Sequence, residues 1–198
     1  MTVTQATINI RFLDWWHAGT GHSGAGDVDM VAYRDRSGCP AMPMTQVKGI
    51  LRETAEEMKL MPQDEINRFF GERSKPGVTV NAAGAAVAFT GEAALTADEQ
   101  AWFHANPKAQ GMLFGWLRST AIDEETGAAK GETLRSIEAC VPVTLSKTIE
   151  WIGPGECPGD WLDQLDLLCA MTPGFGKMTN DGLGRAIASC GPVAGARP

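Results

Sequence analysis

Two glycine-rich segments and three groups of charged residues are where this sequence could do chemistry. The run Gly19-Thr20-Gly21-His22-Ser23-Gly24-Ala25-Gly26 has four glycines in eight residues. No regular element persists through such a run. It reads either as a flexible surface loop or as backbone shaped to approach a ligand, an active-site or RNA-contact loop. It is not a dinucleotide fingerprint, because no helix opens directly from it, and it lacks the glycine-lysine-hydroxyl ending of a phosphate-binding P-loop. Asp27 and Asp29 follow, two residues apart. On an extended strand they share a face. Such a pair could hold a divalent ion or orient water against a phosphodiester; the alternative, for Asp35 as well, is a solvated turn carboxylate. Thr45 stands at a helix start with Lys48 and Arg52 one and two turns on, so free N–H groups and two cations could meet an anion there. A solvated helix face is the other reading. Gly174 to Arg185 carries Lys177, Asn180 and Arg185 against one acid, Asp181. Its glycines would let a phosphate backbone lie against the main chain. Phe175 is the one aromatic residue assigned a place near a base.

Other chemistries find little support. His17, His22 and His104 do not make a metal set, and Cys157 and Cys169 have no histidine beside them, which argues against zinc. There is no nucleophile elbow. The tryptophans read as core or interface residues.

These segments need elements to hold them. Thr4 to Phe12 alternates as a strand, and Asp27 to Tyr33 can form another. Pro40 and Pro43 hold an extended entry into a helix over Gln46 to Met58, with Thr45 as its N-cap. Its apolar face is Val47, Ile50, Leu51, Ala55 and Met58. Gly49 is unfavourable in a helix interior by up to about 1 kcal/mol unless a strand or a ligand backbone passes close by. Residues 62–95 are less regular, with a short helical piece ending at Phe69-Phe70-Gly71 and a strand-like patch over Val78 to Phe89. Thr96 and Glu99 form a capping box for a helix to about Asn106. Leu134 to Val143 and Ser146 to Ile152 read as strands, a helix follows Pro158, and Ala186 to Ser189 is a final strand. The order is β-α-β-β-α-β, which predicts an α+β, ferredoxin-like fold, with residues 72–133 as an inserted excursion containing a hairpin.

The 198 residues fit one domain, spanning 1–198, and can bury a core without staples. Hydrophobic residues make up 43% and charged residues 21%, which excludes a disordered chain. No run is apolar enough to span a membrane, the N-terminus lacks a signal-peptide pattern, and the five cysteines show no framework, so a reduced cytoplasmic protein is expected. The net charge of −7 argues against a stand-alone nucleic-acid binder but not against a local basic groove inside an assembly.

The stretch from Asp29 to Arg52, with Pro43-Met44-Thr45-Gln46-Val47-Lys48-Gly49-Ile50-Leu51-Arg52 at its end, resembles the signature of the RAMP superfamily of CRISPR-associated proteins. Gly174 to Arg185 resembles that family's glycine-rich loop, and Phe70-Gly71 its short phenylalanine-glycine element. Leu117 to Asp123, followed by Leu134 to Glu138, resembles the thumb and return strand of backbone subunits. Met44 stands where the motif has glycine, and Gln46 at the second of two paired hydroxyl positions. The resemblance implies a modified ferredoxin-like (RRM-like) core with an inserted thumb. It implies a subunit that binds CRISPR guide RNA in a type III effector complex, beside neighbouring RAMP subunits and the large signature subunit. The thumb would kink the guide at regular intervals against the target RNA, and bound target RNA would be cut at Asp29, with Mg2+ or another divalent cation held by Asp27 and Asp29. His22, Thr45, Lys48, Arg52, Phe175, Lys177, Asn180 and Arg185 would contact RNA. Two other readings stand beside it: a catalytically silent structural subunit of such a complex, and an unrelated small enzyme that uses the Gly19 to Gly26 loop.

Overall fold

In a computed structural model, residues 3–20, 30–73, 84–120, 122, 126–128, 135–154 and 156–193 are described. His22, Asp27 and Asp29 lie outside them. The alternating N-terminal run forms β1 (Gln5–Phe12), which buries Ala6, Ile8, Ile10 and Phe12. It is flanked on both sides by antiparallel partners, β7 (Thr144–Trp151) and β8 (Ala186–Pro192). The sheet continues outward from β7 through β4 (Glu92–Ala94) to β2 (Ala41–Pro43), and β3 (Val87–Ala88) also pairs with β7. The strands β8-β1-β7-β4 stand in the order fourth, first, third, second, with all neighbours antiparallel. That is the ferredoxin-like arrangement.

Two helices cover one face of the sheet. Helix α1 (Met44–Glu57) buries Met44, Val47, Leu51 and Ala55; α5 (Trp161–Met171) buries Trp161, Leu165, Leu168 and Cys169. The hydroxyls of Thr54 on α1 and Thr172 after α5 meet at 3.0 Å. The other face of the sheet is mostly polar: Gln5, Arg11, Thr144, Thr148, Glu150 and Ser189 are exposed there, with Ile187 as an exposed apolar side chain among them. The aromatic side chains of β1 and β7, Phe12 and Trp151, turn into the core instead. At the outer edge Asp166 Oδ1 accepts the N–H of Cys190 at 2.8 Å and Pro192 has no N–H to offer, which blunts β8 against further pairing.

Several expectations are revised. Helix α1 begins at Met44 with Pro43 at its cap, and Thr45 makes no capping bond; the N–H of Met44 goes to Gly91 O at 2.9 Å. Met30 to Tyr33 is not a strand: among the described residues it makes only isolated bridges, Met30 with Ile137 and Ala32 with Gly19. The return strand β6 (Arg135–Cys140) is outside the main sheet; its strand partner is β5 (Phe114–Ser119), in a separate two-stranded ribbon, and isolated bridges join it to Trp16 and Met30. The second core strand is the three-residue β4, inside the span expected to be an excursion. So the excursion that follows it begins at α3 (Ala97–Ala105) and α4 (Pro107–Gly111) and runs into the ribbon. The capping box of α3 is present as expected, with Thr96 and Glu99 bonding each other's backbone N–H. Helix α2 (Gln63–Phe70) packs on α1 and buries Ile66, Phe69 and Phe70. No helix among the described residues is long and apolar enough to cross a membrane.

Candidate nucleic-acid interface

After β1 the chain runs as a spine between two neighbours. On one side it is tied to the late glycine loop: Leu13 N–H donates to Arg185 O at 2.8 Å, Gly184 N–H to Trp15 O at 2.7 Å, and Lys177 N–H to His17 O at 2.8 Å. On the other side it is tied to β6, by reciprocal bonds between Trp16 and Cys140 at 3.1 and 2.7 Å. Two glycines make the first contact possible. A Cβ on Gly176 (φ +108°) would stand 2.6 Å from His17 O, and one on Gly184 (φ +75°) 2.2 Å from Phe175 O. These glycines therefore serve the loop's own packing on the spine, not the close approach of a ligand. Phe175 is fully buried, so the place beside a base expected for it is corrected: its ring is core.

The loop is thereby held against α1. Gln46, Gly49 and Glu53 on α1, with Arg73, Gly176 and Lys177, line a groove of about 310 Å³. Gln46 Nε2 donates to Gly19 O at 3.1 Å, which ties α1 to the spine just before residue 21. The helix entrance, the glycine loop and the spine thus meet at one place. Among the described residues a Cβ on Gly49 would meet nothing within 4 Å, so no described strand explains that glycine. A second hollow, of about 470 Å³, is lined by Asp14, Gly174, Asn180 and Arg185 among others.

The expected RNA-binding residues divide by environment. Lys177, Asn180, Arg185 and Thr45 are exposed. Arg185 pairs with Asp14 at 2.9 Å at the surface, a contact of small stability value that an incoming phosphate can exchange. Lys48 is half-buried, and burial, then the neighbouring Arg52 charge, pushes its ammonium below the usual lysine range. Arg52 is different. Its Nε donates to Glu56 Oε1 at 2.8 Å, Nη2 to Asn67 Oδ1 at 2.7 Å, and Nη1 to Gly71 O. The guanidinium is buried and committed to clamping α1 to α2 and Gly71, and the expectation of a direct RNA contact at Arg52 is corrected on that ground.

Asp27 and Asp29 belong to a segment whose flanks are well anchored. Where the described chain resumes, Arg34 makes a bidentate pair with Glu138 on β6, at 2.8 and 2.6 Å, and lies over the Phe114 ring at 3.8 Å. The same carboxylate accepts the N–H of Ala32 at 3.1 Å. Asp35 Oδ1 accepts the N–H groups of Ser37 and Cys39 at 2.8 and 2.9 Å and so builds the turn. Among the described residues no group of three or more His, Cys, Asp or Glu could hold a metal ion.

Sequence reasoning missed His17, Gln46 and Arg73. His17 is fully buried, with Nδ1 2.7 Å from Glu138 O. No local pattern marks these residues, since each is defined by a partner more than fifteen positions away.

No family model matches the sequence, and no curated protein matches it significantly. Solved structures do match. A chain from "Cryo-EM structure of the Type III-B Cmr-beta bound to cognate target RNA" aligns over 96% of this chain and 98% of its own, with a TM-score of 0.63 at 10% identity. The chain has the fold of a Cmr-beta chain. A chain of the apo-state type III-B Cmr-beta aligns over 94% of this chain and 97% of its own, with a TM-score of 0.65 at 12% identity. The likeness to Cmr-beta bears out, at the level of fold, the resemblance drawn from the Asp29 to Arg52 motif.

Proposed function

We propose that this chain is an RNA-binding backbone subunit of a type III CRISPR ribonucleoprotein, with a RAMP-type, RRM-like core. One observation carries the reading. The α1 entrance, the Lys177 loop and the spine before residue 21 converge on one groove, in a fold shared with chains of an RNA-bound Cmr-beta complex. Guide RNA lies along this groove, with Lys177 and Lys48 neutralising phosphates and Thr45 at the helix entrance. Asn180 and Arg185 extend the track to the second hollow, and His22 contacts the strand from the segment between Gly19 and Met30. Phosphates and 2′-hydroxyls are what a protein reads in RNA of arbitrary sequence. Unlike sheet-face RNA binders, the chain has no aromatic side chain on the open face of β1 or β7, so loops and α1 carry the contact.

Target RNA paired to the guide is cut at Asp29. A kink imposed on the strand brings the 2′-oxygen, phosphorus and leaving oxygen into line, and positioning of this kind supplies much of the rate. Asp29 orients the attacking group or assists its proton transfer. The hard carboxylate oxygens of Asp27 and Asp29 suit Mg2+ or a similar divalent cation, which supplies charge stabilisation to the phosphate when bound. Neighbouring RAMP subunits and the large signature subunit complete the assembly, in the cytoplasm.

The test has two parts. Lys48→Ala with Lys177→Ala should lower the slope of log affinity for single-stranded RNA against log salt, by about 0.7 for each phosphate that is no longer neutralised. An unchanged slope removes the groove placement. Asp29→Ala should assemble normally and stop target cutting at this subunit's position; undiminished cutting leaves the silent, structural reading in its place.

A further inference from the structure

One residue of the ribbon holds both ends of the span that carries Asp27 and Asp29. That residue is Glu138, buried on β6. Before the span, His17 Nδ1 donates to its carbonyl at 2.7 Å, since a carbonyl only accepts. After the span, its N–H donates to Met30 O at 3.0 Å, and its carboxylate accepts the Ala32 N–H at 3.1 Å and the Arg34 guanidinium at 2.8 and 2.6 Å. Met30 follows Asp29 directly in the chain, so the bond to its carbonyl is made one residue from the cutting group. These bonds are not needed to bring the two ends together. Tyr33 N–H already donates to Ala18 O at 2.7 Å, and Gly19 bridges Ala32. What Glu138 adds is a fixed relation between both ends and the ribbon. A buried ion pair adds little stability over apolar side chains of the same volume. Its value lies in geometry: a guanidinium fork on a carboxylate is directional, and Arg34 is further fixed over the Phe114 ring of β5 at 3.8 Å.

We propose that Glu138 is a positioning residue for the cutting reaction: through Met30, Ala32 and Arg34 it registers Asp29 against the ribbon, and so sets how fast and at which phosphodiester the target is cut. The inference rests on the reading given above, that target RNA is cut at Asp29. Glu138 does no chemistry of its own, because its carboxylate is buried and occupied by Arg34 and the Ala32 N–H. Its effect is on placement. An attacking group displaced by about 1 Å can lose about 100-fold in rate, and one that is loosely held also meets the phosphodiesters on either side.

The experiment uses the assembled complex and an end-labelled target RNA, and reads the single-turnover rate and the product ends at this subunit's site. Glu138→Gln keeps the main-chain bonds and one side-chain acceptor but loses the two-pronged hold on Arg34. Arg34→Lys keeps the charge and loses both the fork and the ring contact, and it carries the test if the first variant does not assemble. Each should slow the cut, by up to about 100-fold, and spread the product ends over adjacent phosphodiesters, with target affinity and melting temperature close to wild type. Both changes together should be no worse than either alone, as expected of two residues that act as one unit. If Asp29→Ala abolishes the cut while Glu138→Gln and Arg34→Lys leave its rate and ends as in wild type, the positioning role is overturned. A slower cut with unchanged ends, in step with a loss of assembled complex, marks a purely structural residue and overturns it as well. If Asp29→Ala leaves the cut in place, the cutting reading falls and takes this inference with it.

Discussion

Replacing Arg52 by methionine separates a structural cation from an RNA contact. The thioether keeps most of the buried stem and removes three donated bonds, to Glu56, Asn67 and Gly71. Hydrogen bonds to charged groups are worth about 1.5–3 kcal/mol each, but the three losses do not add. Glu56 keeps Arg73 as a partner, and Asn67 Oδ1 keeps the amide of Gln63 at 3.2 Å. The Gly71 carbonyl, which fixes the end of α2 against α1, has no such replacement among the described residues. A net loss of about 3 kcal/mol follows, and for a chain of this length that lowers the melting temperature by roughly 6–12 °C. The assay is urea and thermal unfolding of Arg52→Met beside Lys48→Ala, with a salt titration of RNA binding at low temperature where both are folded. Arg52→Met should lose stability and keep the wild-type salt slope. Lys48→Ala, which has no ion pair with a described acid, should do the reverse. An Arg52→Met protein within about 1 kcal/mol of wild type that also shows a reduced salt slope would refute the clamp and return Arg52 to the RNA-facing surface.

Two further outcomes are expected. Gly49→Ala should stabilise α1 by about 0.5–1 kcal/mol, since its Cβ meets nothing among the described residues and helix-interior glycine is unfavourable; it should also weaken RNA binding by narrowing the groove, and stabilisation with unchanged affinity places the strand elsewhere. Glu56, held by Arg73 and then Arg52, has its carboxyl depressed to about 2. Because the folded value lies below the unfolded one, the stability this carboxylate contributes is present above the ordinary carboxylate value of 4.5 and is lost as pH falls from there toward about 2. Arg73→Ala should flatten the urea midpoint across that window, and an undiminished fall assigns it to other carboxylates.

The elements legible in the sequence are those whose pattern is local. β1 alternates over eight residues and β7 does so apart from Lys147, α1 and α5 carry continuous apolar stripes, and the Thr96-Glu99 box marks its helix to the residue. What local pattern misses is decided by pairing across the chain. Leu134 to Val143 reads as a strand, but alternation says nothing about which sheet takes it; β6 goes to the ribbon with β5 because Glu138 and Cys140 are claimed by Met30 to Arg34 and by Trp16. The three-residue β4 has too few positions to show a period, and yet it is the second core strand. At the site the same rule holds. Lys48 and Arg52 look alike in sequence, one turn apart on one stripe, and only the packing of α2 turns the second inward. Phe175 sits among glycines, which suggests an open loop, but those glycines fold the loop onto the spine and seal the ring beneath it.

A chain with a net charge of −7 can still offer a cationic track, because its acids are not spread evenly with respect to partners. Glu138 is spent on Arg34 and the Ala32 N–H, Glu56 on Arg52 and Arg73, and Asp166 on the exposed edge of β8. Asp35 closes its own turn, Glu92 accepts from the Tyr33 hydroxyl, and Glu99 caps α3. These carboxylates end on internal donors and add little field at the groove mouth. Lys177 and Lys48 carry no such partner among the described residues, and Glu53, the acid that lines the groove, faces Arg73 across it. An RNA strand within a Debye length responds to that local arrangement and not to the total. The acidic sum is therefore compatible with a subunit that binds its strand at one face and stays apart from bulk nucleic acid on the others.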